Sequence, residues 1–191
     1  MCSVDVGESS SLAHAASELS RSADMIVAAA AVLGENQRQE EEPGRLSAVG
    51  GALSNAATEL VVAARALSEE RSWECAAEAL GDAANSLQTA AASSDGENEA
   101  ALLNAASELE DASMCTGCIS LAAAAGPNLS EAGAHLVGAA ALLRTRSSEM
   151  ATGTTPAHEA AAKHLEEAAA ALDASGAALT QAGEQLEAGQ L

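Results

Sequence analysis

The sequence predicts an all-α fold, an antiparallel bundle of five or six helices, and three observations lead to it. Alanine and leucine, which head the helix scale, occupy 51 and 22 of 191 positions. Phe and Tyr are absent and Trp occurs once, so the aromatic residues that sheets favour are nearly missing. Leucine recurs every seventh residue along most of the chain, a spacing that keeps one row on one helix face.

The rows follow in order. Leu12, Leu19, Ile26 and Leu33 form the first; Leu46, Leu53, Leu60 and Leu67 the second; Trp73, Leu80 and Leu87 the third. Leu102 and Leu109 open the fourth, which shifts phase to Met114 and Leu121. Leu129, Leu136 and Leu143 form the fifth, and Leu165, Leu172, Leu179 and Leu186 the sixth. Four residues after each leucine the side chain is usually small: Ala16 and Ala23, Gly50 and Ala57, Gly176 and Gly183. Small seam residues let helix axes approach nearer than the usual ~8–10 Å, so the pattern specifies tight, nearly antiparallel packing with leucine and alanine heptad seams.

Breaks are expected where helix-stop chemistry collects. Residues 34–45 are polar and carry Pro43-Gly44; residues 93–99 read as a turn. Within 126–131, Asn128 and Glu131 have capping-box spacing. Thr155 precedes Pro156 as cap and first helical residue. The junction 68–74 lacks Gly and Pro, so rows two and three are either one helix or two, with Ser72 as the cap of the second. Residues 1–10 are expected to be a flexible lead-in to a single bundle over 11–191. AASEL occurs at 15–19 and again at 105–109, which raises a duplicated three-helix unit with halves 11–94 and 97–191. Alanine abundance and a heptad rule also generate such echoes unaided.

Net charge is −20, and an acidic surface repels phosphate backbones and anionic headgroups, so neither nucleic acid nor a bilayer is an expected partner. The N-terminus lacks the basic and apolar regions of a signal peptide, and the longest apolar run, 25–33, is about half of a membrane span. Four cysteines without a secretion signal point to a reducing interior, cytoplasmic or organellar.

Cys115 and Cys118 would share a helix face and could hold a metal or cycle as a disulfide; a zinc site needs two more ligands, for which Cys75 and one of the histidines are the candidates. The ligand set is incomplete and no strand accompanies the pair, so packing as small hydrophobes is the favoured reading. His14, His135, His158 and His164 are dispersed and do not form the Glu/His pairs of a di-iron bundle. Trp73 is expected to anchor a helix junction. No phosphate loop or catalytic triad can be nominated, and no cofactor is expected.

The first helix reads Leu12, Ala15, Ala16, Leu19, Ala23, Ile26, Val27, Ala30 on its apolar side. This pattern resembles the vinculin-binding helices of the talin rod. Ser20 departs from a usual alanine there and Ala23 is smaller than the usual valine. Leu53, Ala56, Ala57, Leu60, Val61 and Leu67 are similar, until Ser68 and Arg71 replace apolar residues. Residues 113–143 are similar in style to the small-residue helices of talin-type rods. The resemblance implies a four- to six-helix bundle that binds other proteins, another helical bundle among them, by releasing an amphipathic helix; the chain as a whole reads as a non-enzymatic structural or protein-interaction module. The partner-binding stripe would be Leu12, Ala16, Leu19, Ala23, Ile26, Val27 and Ala30. Two alternatives stand beside it: an accessory or linker subunit of a larger assembly, and a metal- or cofactor-binding bundle built on Cys115 and Cys118.

Overall fold

The computed structural model describes residues 7–36, 42–66, 73–93, 96–116, 122–153 and 155–188; the side chains of 7–10, 35, 36, 42, 73, 96–98, 115, 116 and 122–124 lie outside this set. Six helices account for nearly all of them: α1 (Gly7–Asn36), α2 (Glu42–Arg65), α3 (Trp73–Ala92), α4 (Gly96–Thr116), α5 (Ala122–Ala151) and α6 (Pro156–Glu187). No strand occurs among the described residues. Each helix packs on the one before and the one after it, and α6 packs back on α1. The six therefore close into an up-and-down ring around one continuous core.

The heptad rows explain the ring. With about 3.6 residues per turn, the residue three after a row leucine lies roughly 60° to one side of it, and the residue four after lies roughly 40° to the other. Leucine points to the centre, where Leu19, Leu53, Leu87, Leu109, Leu136 and Leu172 are at most 1% exposed. The two flanking small residues face the two neighbouring helices. In α6 the residues three after each leucine face α1: Ser22 Oγ donates to the Ala168 carbonyl at 2.9 Å, and Ser175 Oγ donates to the Ala15 carbonyl at 2.7 Å. The residues four after face α5: Gly183 meets Gly126, Gly176 meets Gly133, and Ser147 Oγ donates to the Ala162 carbonyl at 2.7 Å. These pairings descend along one helix as they ascend the other, so both seams are antiparallel.

The side facing α5 recurs at every second interface. In α1 and α2 it brings Gly50 against Ala23 and Val27, and in α3 and α4 it brings Ser113 to the Ala77 carbonyl at 2.6 Å. The packing therefore repeats by the helical hairpin: α1–α2, α3–α4, α5–α6. A three-helix unit cannot repeat around an up-and-down ring, because its second copy would enter pointing the other way. The AASEL echo marks equivalent heptad stages of α1 and α4 instead.

Glycine and serine extend the seams. A Cβ built on Gly126 would stand 2.6 Å from the Gly183 carbonyl oxygen, and one on Gly50 would stand 2.6 Å from a Val27 methyl. Such backbones touch directly, and the notch over each glycine is filled by a side chain from the facing helix: Val27 over Gly50, Val137 over Gly176, Thr180 over Gly133. Each interhelical serine bond contributes about 1 kcal/mol and satisfies a hydroxyl that would be costly to bury alone.

Several expectations are corrected. Helix α1 begins at Gly7, inside the stretch expected to be flexible, and α4 begins at Gly96, inside the expected 93–99 turn. The break expected at 126–131 does not occur: α5 starts at Ala122 and runs through Pro127 and Asn128. The reason is that Ala125 and Gly126 already occupy the two seam positions of a heptad whose leucine place is Ala122, so α6 holds this turn in place. The fourth row does not shift phase onto Met114, which is 68% exposed: the seven-residue spacing from Leu102 and Leu109 leads to Thr116 instead. Rows two and three are two helices. The start of α6 is as expected, with Thr155 as cap accepting from the His158 N–H and Pro156 following. Leu67, Ser72, Leu121 and the Trp73 side chain lie outside the described residues.

Candidate functional site: the outer faces of the hairpins

The described interior is packed mainly by leucine, alanine and glycine. Its buried polar side chains, among the described residues, are Ser11, Ser22, Ser147 and Ser175, and the last three donate to a carbonyl of a neighbouring helix. The structure gathers no group of three or more His, Cys, Asp or Glu able to hold a metal among the described residues. Cys75 is exposed near the start of α3. Cys115 falls in the last described turn of α4, Gly96–Thr116. The Cys115 side chain and the whole of Cys118 lie outside the described residues. His14 is exposed, His158 lies in the first turn of α6 with its ring against the Thr155 hydroxyl, and His164 on α6 carries a buried Nδ1 without a hydrogen-bond partner. They do not converge.

The stripe expected to bind a partner is part of the core. Leu12, Ala16, Leu19, Ala23, Ile26 and Ala30 are buried, and Val27 is half-exposed over the Gly50 notch. Helix α1 is first in sequence, yet ring closure gives it two neighbours. Releasing it would open the seam with α2 and also the seam with α6, including both serine bonds. Release of α1 therefore opens two seams rather than one.

The outer faces carry the remaining exposed features. Between α1 and α2 lies an open groove of about 430 Å³ lined by Ala13, Ser17, Ser20, Arg21, Thr58 and Val61, among others. Val61 is 51% exposed, more than Val27, and lines this groove together with Ala16. The segment Pro43–Arg65 of α2 is long and apolar enough to cross a bilayer by length and composition; its Leu53 and Leu60 are buried in the ring.

Charge separates the three hairpins. Residues 7–65 carry eight acidic and four basic side chains, and residues 122–187 carry eight and three. Residues 73–116 carry nine acidic and no Lys or Arg. On α5–α6, Arg144 pairs with Asp173 at 3.1 Å and approaches Glu166 at 3.9 Å, so part of that acidity is answered locally. The α3–α4 hairpin has no side-chain cation of its own to do this. This segregation is visible in the sequence once the hairpin is the unit of counting; dividing the chain into three-helix halves hides it. No protein-family profile matches the chain, and no curated protein matches it.

Proposed function

We propose that this ring is a non-enzymatic protein-interaction module, engaging protein partners through its outer faces while the interior serves only to hold the ring closed. The observation that supports this most is the content of the interior: leucine at the centre, alanine and glycine at the seams, and serines spent on neighbouring carbonyls. Such a core gives a stiff cylinder whose six helices each present an outer surface. The acidic exterior favours protein partners over nucleic acid or anionic lipid. The talin-like pattern of α1 fits the same reading, since a seven-residue leucine and alanine rule is what closely packed helical bundles require. A larger assembly in which the ring is an accessory or linker subunit is the second reading. It rests on Val61 and Val62, which stay 51% and 45% exposed on neighbouring positions of α2.

The experiment is photo-crosslinking of the intact protein in a lysate of its source cells, with the crosslinker placed in turn on the outer face of each hairpin. A protein neighbour recovered from one face, and absent from the others, is the expected outcome. Failure of every face to capture any protein above a bait-free control would overturn the reading. The peptide 10–34 added as competitor separates the modes: if it displaces the neighbour, recognition runs through a released α1.

A further inference from the structure

Helix α4 leaves an apolar pair uncovered. Leu103 is 43% exposed and Met114 is 68% exposed, eleven residues apart. Eleven residues are close to three helical turns, so both stand on one line down the helix, roughly 16 Å apart. Ser107 and Glu110 lie between them on the same line, both exposed. The line flanks the seam with α3, because Ser113, one position from Met114, donates to the Ala77 carbonyl. The seam beneath is shallow: Gly81 faces Ser113 without a side chain, and Ala84 and Ala106 are buried. On the α3 side of this groove stand Glu74 and Glu78, both exposed, and Glu99 is exposed near its other end. Val27 and Val137, by contrast, are spent on glycine notches of their own hairpins.

We propose that the α3–α4 groove, with Leu103 and Met114 as its anchors, docks a basic amphipathic helix of a partner protein. The inference rests on the reading of the ring as an interaction module and names the face and the partner chemistry. An incoming helix with apolar residues at i, i+4, i+7 and i+11 meets the same spacing that separates Leu103 from Met114. Methionine is unbranched and adapts to such a surface. Lys or Arg beside those residues meets carboxylates on both walls, in a hairpin where no Lys or Arg competes. Charge complementarity of this kind selects the partner and speeds its encounter. A second copy of this chain is a poor occupant, since two molecules of charge −20 repel. The α1–α2 groove lacks the argument, because Arg21 lines it beside Asp24.

The test uses the full chain and an 18-residue peptide of leucine and lysine with leucines at i, i+4, i+7 and i+11. A peptide of the same composition in scrambled order is the control. Calorimetry and amide NMR shifts are read in low salt and at physiological salt. The expected result is one site per protein, shifts gathered on α3 and α4, and at least tenfold weaker binding of the scrambled peptide. The double variant L103S and M114S should bind at least tenfold more weakly with an unchanged circular dichroism spectrum and melting temperature; both side chains are exposed, so the fold should tolerate the change. Equal binding of both peptides, shifts centred on another hairpin, or an unaffected double variant would each overturn the proposal. So would self-association of the protein alone through α3–α4. A protein neighbour crosslinked to a different hairpin would defeat this inference while leaving the module reading standing; capture of none would defeat the module reading itself.

Discussion

Gly133 of α5 and Gly176 of α6 face each other so closely that neither has room for a methyl group. A Cβ on Gly176 would stand 2.5 Å from the Gly133 carbonyl oxygen and 2.9 Å from a Val137 methyl. The obstacle is partly backbone, which cannot rotate away as a side chain can. Glycine ordinarily weakens a helix relative to alanine. Here the close approach it allows compensates.

Gly133→Ala and Gly176→Ala should therefore each lower stability by about 1–3 kcal/mol, the range for overpacking. Gly138→Ala, one turn away and with no atom within 4 Å of its Cβ, should raise it by up to about 1 kcal/mol through helix propensity. Thermal melts of the three variants give the comparison. Equal shifts of one sign would mean that the seam is not in contact.

Leu60→Asp should unfold or loosen the ring. Leu60 is 1% exposed in the central core, and an unpaired carboxylate there costs several kcal/mol. Val62→Asp, two residues on and 45% exposed, should leave the melting temperature within a few degrees. An unchanged melt for Leu60→Asp would remove the leucine rows from the core.

Ser22→Ala and Ser175→Ala should each cost about 1 kcal/mol, the net worth of a neutral hydrogen bond, with alanine fitting the space. Ser22→Val should cost more, because the seam with Ala168 has no room for a branched side chain. If all three melt alike, the α1–α6 seam is looser than described.

Purified protein should hold less than one equivalent of zinc or iron, and Cys115→Ser with Cys118→Ser should keep the helical spectrum. The basis is the incomplete ligand set: no group of three or more His, Cys, Asp or Glu comes together among the described residues. Elemental analysis settles it; one equivalent of metal, lost in the double variant, would restore the metal-binding reading.

The helices were legible from the leucine rows because every row residue has the same task of pointing at the centre. Five of the six rows kept their phase. The fourth failed at Met114, where an apolar residue was read as core although the heptad continues through Thr116. The start of α5 was misplaced because Pro127 is a strong local stop signal, whereas the support that overrides it comes from Gly183 and Glu187, sixty residues away by order of magnitude. The small residue four after each leucine was legible; its counterpart three after, which faces the other neighbour, carried equal weight and went unused. Ring closure itself could not be read, since an open row and a closed ring demand the same seams at every helix but the first and last. The inward-facing α1 stripe was legible in the same way, from its leucines; the seam with α6, which its release would also have to open, was not.

Closure of α1 onto α6 is the claim on which the rest depends, and a spin-label distance between His14→Cys and Gln181→Cys measures it most directly. Both sites are exposed, and the background would have the four native cysteines replaced by serine. A closed ring predicts one narrow distance below about 25 Å, because adjacent helix axes lie about 8–10 Å apart and the labels add their own reach. An open row of three hairpins would set the first and last helices five spacings apart, and a broad distribution centred near ~45 Å would contradict the ring.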